Sequence, residues 1–517
     1  MVANAHMLGG VLRGDLGFLG HVVSDCGAVG NVDEFQHFAK TPEEGAALAL
    51  RAGTDLNCGH AYALLNVSIE RGLASMQDVD TALGRTLTGR FVRGEFNAAA
   101  DDPFRGIKLT AVGSNAHVEL ARRAAQESLV LLKNVAGRLP LKVAVGQEKV
   151  VVAVIGHSAN DSLVLLGNYH GDPSRIPVTP LEAITARVDA NVNFAQGAWV
   201  TGEGTWDFSA AIQAARRSDV AVIFVGGSAK GTVDGITHFD TTEKEGLDRT
   251  ELTLPGVQTD LIKAIASQTD TPIVLVLING GPLAIEWAVA SPRVEAILEG
   301  WYPGQEGGTA IADALFGIVA PAGRLPVTMY HSNYTGQVSE RSMDMREFPG
   351  RTHRFLLVPA LYEFGFGLSY STWTYGSVKF DSSAHRVSFV LTNTGKVTSD
   401  HVVIVYSALH ALAVDQPSSS SSSFSSSSSP SPPTSPTSTA FGITPQQSVV
   451  AFTRLRAIAA GATVPVNLLV DANAFSLVDT LGRRNPRVKG MWTLFVKESA
   501  GNGSGHVRAG SIDVLVD

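Results

Sequence analysis

Pro272-Ile-Val-Leu-Val-Leu-Ile278 is apolar at every position. A strand with Val, Leu and Ile on both faces has to be covered on both. That is the pattern of a parallel sheet between helices, not of an antiparallel ribbon with one wet face. The run stops at Asn279-Gly-Gly281, and Glu286 follows, so it is too interrupted to span a bilayer. Working outward, similar strands are predicted at 150–155, 220–225 and 294–298. They alternate with helices near 181–187, 209–217, 256–267 and 305–316, and a further helix is predicted over 118–133. Strand–helix alternation of this kind predicts an α/β domain, a parallel sheet with helices on both sides, over residues 117–370.

On the N-terminal side, residues 1–95 read as two strand–helix units. His21-Val-Val-Ser-Asp25 is the first strand. Thr41 caps a helix that starts at Pro42, with Glu44 closing a capping box and Gly53 ending the helix. A second strand over 52–58 and a helix over 76–91 complete a βαβα pattern whose polar residues gather at the strand ends. Residues 96–116 are a polar linker. On the C-terminal side, residues 371–517 change to alternating β segments at 386–393, 401–406, 463–470 and 490–497, with a Thr394-Gly395 turn, which predicts an antiparallel sandwich. Between 417 and 439 stand 14 Ser, 5 Pro, 3 Thr and Phe424, a composition expected to remain a disordered insert.

With 517 residues the chain has room for about three domains. Its 40 Lys+Arg against 48 Asp+Glu lack the basic footprint of a nucleic-acid binder, and no membrane partner is expected. Cys26 and Cys58 are too few for a disulfide-built scaffold. Sequons begin at Asn66, Asn160, Asn333 and Asn502, while the first residues show neither the charged nor the apolar region of a signal peptide.

Gly156-His-Ser158-Ala-Asn160 follows a buried strand as a nucleophile elbow would. Asn160 stands where such an elbow needs its second glycine, so an esterase using Ser158 is disfavoured. The 14 histidines form no zinc-binding spacing, and no metal or cofactor is expected. Two carboxylates stand out. Asp25 lies where a buried strand meets its loop, and Glu243 lies in the long polar segment after the strand at 220–225.

Asp25 belongs to Gly20-His-Val-Val-Ser24-Asp25-Cys26-Gly-Ala-Val29, followed by Ala52-Gly53-Thr-Asp55-Leu-Asn-Cys58-Gly59. This resembles the end of the catalytic barrel of glycoside hydrolase family 3, in its β-xylosidase/α-arabinofuranosidase branch. Glu245-Gly-Leu-Asp248-Arg249-Thr-Glu-Leu-Thr-Leu-Pro255-Gly256, Leu166-Gly-Asn-Tyr169, Gly300-Trp-Tyr-Pro-Gly304-Gln305-Glu306-Gly307-Gly308 and Tyr362-Glu-Phe-Gly-Phe-Gly-Leu-Ser-Tyr370 extend the resemblance in the family's order. Val390-Leu-Thr-Asn393-Thr-Gly395 is similar to its fibronectin-III-like domain.

The resemblance implies the C-terminal remnant of a (β/α)8 barrel, its last two βα units, then an α/β sandwich domain and a fibronectin-III-like β sandwich. It implies a retaining β-glycosidase of xylan breakdown, taking an oligosaccharide or glycoside, extracellular or in the secretory pathway. Asp25 matches the nucleophile and Glu243 the acid/base, with Glu245 two residues away as the alternative. A Cys26–Cys58 disulfide is expected in an oxidising compartment, because neighbouring parallel strands bring their ends within bridging distance. The rival is a non-catalytic carbohydrate-binding or assembly protein. With the sugar-gripping residues of earlier barrel strands outside this sequence, the 517-residue chain assayed alone is expected to hydrolyse aryl β-xylosides little or not at all. Turnover at an ordinary glycosidase rate, lost in Asp25→Ala, would contradict this.

Overall fold

Alternate side chains of the central strands enter two different cores. Ile223, Leu275 and Ile297 pack with Ile212, Leu261 and Ile265 on one face. Val222, Val274 and Leu298 pack with Ile184, Ile311 and Leu315 on the other. Period-2 alternation between two apolar faces is what the unbroken Val/Ile/Leu runs require. The structure, a computed structural model, describes all residues except 99–100, 143–148, 188, 231, 234–235, 238–240, 413–443, 472, 480–482, 486–487, 500–505 and 517. The serine-rich stretch 417–439 therefore lies outside the described residues. The chain divides into two compact units, Met1–Ala111 and Val112–Asp517.

In the larger unit, six strands form one sheet: β1 (Val130–Asn134), β2 (Val150–Ile155), β3 (Ala190–Ala195), β4 (Val220–Gly226), β5 (Ile273–Ile278) and β6 (Val294–Glu299). Their order is β1-β6-β5-β4-β2-β3. From β6 to β3 the strands are parallel, and β1 is antiparallel to β6. Two expectations are corrected here. The helix expected over 118–133 is Asn115–Ser128, and its last five expected positions fall in or beside β1. A short apolar run such as Val130-Leu-Leu132 suits a strand as well as a helix, and only pairing with β6 decides between them. The sheet is consequently mixed rather than wholly parallel. The edge strand β3, Ala-Asn-Val-Asn-Phe-Ala, was not anticipated, because asparagine is rare in strands and this strand is only half covered.

Beyond residue 370, two four-stranded antiparallel sheets share a third core built around Val387, Leu391, Val403, Trp492 and Val496. Arg386–Asn393 pairs with Lys379–Asp381 and Thr463–Leu469, whereas Ser399–Leu412 pairs with Ser448–Ile458 and Gly490–Ser499. The Thr394-Gly395 turn thus carries the chain from one sheet to the other. Fully buried Asn393 pins that crossing: its Nδ2 donates to the Val397 and Ile458 carbonyls, each at 2.9 Å, and its Oδ1 accepts from the Gly395 amide at 3.0 Å.

In the smaller unit, helix Pro42–Ala52 starts at Thr41, whose hydroxyl accepts the Glu44 amide, and ends at Gly53 with φ +108°. The expected reciprocal bond from Glu44 is displaced: its carboxylate takes the Lys40 amide at 2.8 Å instead of that of Thr41. A complete capping box does open helix Met76–Val92, between Ser75 and Asp78. The two expected strands shrink to a single parallel bridge, Val23 to Leu56.

Two glycines show how closely the sheet packs at its strand ends. A Cβ on Gly226 (φ +145°) would sit 2.0 Å from the Ile278 carbonyl oxygen, whereas one on Gly461 (φ +77°) would meet nothing within 4 Å. Gly226→Ala is therefore expected to cost about 3 kcal/mol or more, through overlap added to left-handed strain. Gly461→Ala, with strain alone, is expected to cost about 1 kcal/mol. Urea unfolding of the two variants checks this, and similar midpoints would refute the close approach.

Candidate active site

In the smaller unit, the 22–24 and 55–58 segments are held side by side by a few main-chain bonds. The Ser24 amide donates to the Leu56 carbonyl and the Gly27 amide to that of Cys58, each at 2.9 Å. The Cys58 amide donates to Ser24 Oγ at 3.0 Å. Cys26 and Cys58 are joined, with Cα atoms 4.4 Å apart. Asp25 follows the bridge and is exposed, and its Oδ1 accepts only the adjacent Cys26 amide at 2.8 Å among the hydrogen bonds of the described residues. Asp55 behaves in the opposite way. Its side chain is 1 % exposed and is clamped by Arg13 at 2.6 Å, Arg85 at 3.0 Å and the Val22 amide at 2.8 Å. Such an ion-paired buried aspartate is a structural anchor. Its role could not be read from the motif, because both arginines come from distant positions in the chain.

In the larger unit, the relevant residues lie beyond the C-terminal ends of the parallel strands, where open α/β sheets place their sites. Past Gly226, the Gly227 amide binds the Ile278 carbonyl at 2.9 Å. Returning residue Thr242 ties back to Ser228, amide to carbonyl at 2.8 Å and Oγ1 to amide at 2.8 Å. A tight turn follows, closed by reciprocal bonds between Lys244 and Leu247 at 3.1 and 3.0 Å, with Gly246 at φ +77°. Glu243 stands at the foot of this turn and Glu245 at its exposed tip.

The two glutamates therefore differ sharply. Glu243 Oε1 accepts the Gly280 amide at 2.5 Å and the Tyr302 hydroxyl at 2.7 Å, and Oε2 pairs with Arg249 Nε at 2.7 Å. Gly227 and Gly280 make room for it: a Cβ on either would come within 2.9 and 3.2 Å of Oε1. Burial, then the charge and hydrogen bond of Glu243, push the Tyr302 hydroxyl well above its ordinary range, so Tyr302 stays a donor. Glu245 has an exposed side chain, and its amide is fixed by Asn168 Oδ1 at 2.7 Å. Thus Asn168, Arg249 and Tyr302 share one cluster, although the motifs containing them gave no sign of their roles.

Behind this cluster lies a carboxyl that sequence reasoning missed. Glu299, the last residue of β6, is fully buried. Its Oε1 accepts the Trp301 amide at 3.0 Å, and Trp301 itself adopts φ +58°. Burial pushes this carboxyl up to about 8, assisted by the nearby Glu243 charge and opposed by its hydrogen bonds. Between β2 and β4, where strand order reverses, Asp161 accepts Lys230 Nζ at 2.6 Å and His157 Nε2 at 2.9 Å. Burial raises the Asp161 carboxyl, but the hydrogen bonds from His157 and Lys230, with the Lys230 charge, outweigh it and hold it below the ordinary range. Ser158 is 2 % exposed and so is out of reach for an esterase nucleophile. Among the described residues no cluster suited to a metal ion occurs.

Comparison with known proteins places both units. Residues 1–88 match the model for the glycosyl hydrolase family 3 N-terminal domain, and 129–370 that for its C-terminal domain. Beta-D-xylosidase 1 of Arabidopsis thaliana is 36% identical over 416 residues, 80% of this chain and 51% of the relative. A probable exo-1,4-beta-xylosidase of Aspergillus fumigatus is 38% identical over 410 residues, 74% of this chain and 50% of the relative. The chain thus spans about half the length of the curated relatives it matches. Among solved structures, a GH3 exo-beta-xylosidase in complex with a xylobiose aziridine probe aligns with TM-score 0.81 at 28% identity, over 100% of this chain and 64% of that one. A β-glucosidase from Erythrobacter marinus aligns with TM-score 0.75 at 26% identity, over 99% and 65%.

The raised carboxyl of Glu299 has a measurable consequence. Above the ordinary carboxylate range the folded state binds a proton that the unfolded chain has released, so stability falls as pH rises from about 4.5 towards 8. Glu299→Gln should remove that slope, on the order of 3–5 kcal/mol across the interval. Parallel pH profiles of unfolding free energy for wild type and variant would refute the buried proton.

Proposed function

Because the chain belongs to glycosyl hydrolase family 3, we propose that it serves a retaining β-glycosidase that releases terminal β-linked xylosyl residues from oligosaccharides. Asp25 is the nucleophile, and the turn bearing Glu243 and Glu245 supplies the proton donor. The observation that carries this reading is the contrast between the two aspartates at the Val23–Leu56 bridge. Asp55 is buried and paired to two arginines, whereas Asp25 is exposed at the end of the bridge. Attack on an anomeric carbon needs an accessible carboxylate, and of these two aspartates Asp25 is the accessible one. The xylosidase names of the relatives support the substrate class. The two antiparallel sheets beyond residue 370 are read as the fibronectin-III-like domain, and the Cys26–Cys58 link favours an oxidising, extracellular location.

Retention calls for a second carboxyl that first donates a proton to the leaving oxygen and then takes one from water. Glu243, the expected acid/base, has both oxygens filled by Gly280, Tyr302 and Arg249. Glu245, on the exposed tip, is the better-placed proton carrier. We therefore assign donation to Glu245 and the anchoring of the turn to Glu243.

Single-turnover release of dinitrophenolate from its β-xyloside, with protein in excess, tests the assignment. Asp25→Ala should abolish release. Glu245→Gln should slow substrates with poor leaving groups by about 10²–10⁴-fold while sparing dinitrophenyl xyloside, and azide should restore turnover as β-xylosyl azide. Glu243→Gln should slow all leaving groups alike, without azide rescue. Rescue in Glu243→Gln instead would return the proton to Glu243. Even slow release that is unchanged in Asp25→Ala would favour the non-catalytic reading.

A further inference from the structure

A cavity of about 1010 Å³ lies in the larger unit, and none of Glu243, Glu245, Arg249, Glu299 and Tyr302 lines it. Its walls come from the segment after the six-stranded sheet and from the sandwich. Phe355 is buried, His353 stacks on Phe364 with ring centres 4.3 Å apart, and Arg346, Arg354 and Arg484 are half-buried or exposed beside them. The guanidinium carbons of Arg346 and Arg354 both lie against the Phe355 ring, 5.9 and 5.3 Å from its centre.

Some arginines of the unit pair with carboxylates, as Arg122 does with Asp313 and Arg454 with Asp400. Among the described residues, no carboxylate forms an ion pair with Arg346, Arg354 or Arg484. Asp344 and Asp471 line the cavity too, but each turns Oδ1 to a main-chain amide, Arg346 at 2.9 Å and Asn473 at 2.7 Å. Burial, then the charges of Arg484 and Arg346, draw Arg354 below its ordinary value, which places the three cations in one field. Burial pushes His353 down to about 4, aided by Arg354 and Lys497, so its ring is neutral and packs as an aromatic surface.

An inorganic anion would satisfy the charge but fill little of the space, since cavities near 300–1,000 Å³ suit ligands of several rings. Two arginines beside one aromatic ring offer forked donors to a carboxylate and flat faces to a sugar. We propose that this cavity binds an oligosaccharide bearing a uronic acid. The carboxylate lies between Arg346 and Arg354, and neighbouring sugar rings lie against Phe355 and Phe364. The choice of a sugar body rests on the glycosidase reading, while the anionic charge does not.

Calorimetric titration of the 517-residue protein with three probes tests the proposal: a glucuronic-acid-substituted xylo-oligosaccharide, its neutral counterpart, and inorganic phosphate. The acidic sugar should bind at least about tenfold more tightly than the neutral one, and the preference should shrink with added salt. Arg346→Gln with Arg354→Gln should erase that preference and leave single-turnover xyloside release unchanged. Arg484→Gln, at an exposed position, should weaken it in part and guards against misfolding of the double variant. Equal binding of both sugars, or a preference that survives the double variant, would overturn the site. Phosphate competing at the same affinity would overturn the sugar assignment. Catalytic failure with intact acidic-sugar binding would count against the proposed function alone.

Discussion

The chain leaves β4 at Gly226 directly beneath the carbonyl oxygen of Ile278, and leaves β2 at Gly156 beneath that of Phe224. In both cases a side chain would stand 2.0 Å from the oxygen of a neighbouring strand. The parallel strands are thus stepped, each turn crossing the end of the next strand at the distance of bare backbone. Only glycine permits that approach together with a positive φ. Everything placed at this edge of the sheet depends on it. Because the turn after β4 starts flush with β5, Gly227 reaches the Ile278 carbonyl, Thr242 returns to Ser228, and Glu243 arrives within hydrogen-bonding distance of the Gly280 amide.

Two carboxyls then occupy the same edge under different terms. Glu243 has a guanidinium, a phenol and an amide as partners, so its charge is compensated where water is scarce. Among the described residues Glu299 has only amide donors and no cation, and burial makes the proton its cheapest companion. The strained Trp301 sits between Glu299 and Tyr302, the phenol that holds Glu243, and links the buried carboxyl to the turn. An anchor at Glu243 leaves the neighbouring tip, with Glu245, in a fixed place without tying up its carboxyl.

The smaller unit solves a different problem. With a single bridge in place of a ladder, the 22–24 and 55–58 segments have few main-chain bonds to hold them. Asp55 compensates from one side by gathering Arg13 and Arg85 around a buried carboxylate, and the Cys26–Cys58 link closes the other side. Asp25 stands between these two restraints, exposed and next to the disulfide-bonded Cys26.

Local patterns sufficed for much of this protein. Apolar runs at β2, β4, β5 and β6, the Thr41 cap, the Gly53 stop and the alternation in Arg386–Asn393 are short-range signals, and the strands and helices formed where they lie. Family membership was legible for the same reason, since Ser24-Asp25-Cys26 and Glu245-Gly-Leu-Asp248-Arg249 are contiguous. Tertiary structure alone decided what depends on distant partners. Val130-Leu-Leu132 became a strand because β6 offered an open edge, and Thr394-Gly395 became a crossing because its flanking strands found partners in opposite sheets. Likewise the spacing of Glu243 and Glu245 announces a pair of carboxylates, but not which one is saturated. That was settled by Tyr302 and Gly280, 59 and 37 residues away in the chain, because a carboxylate's chemistry is set by the donors around it and not by its neighbours in sequence.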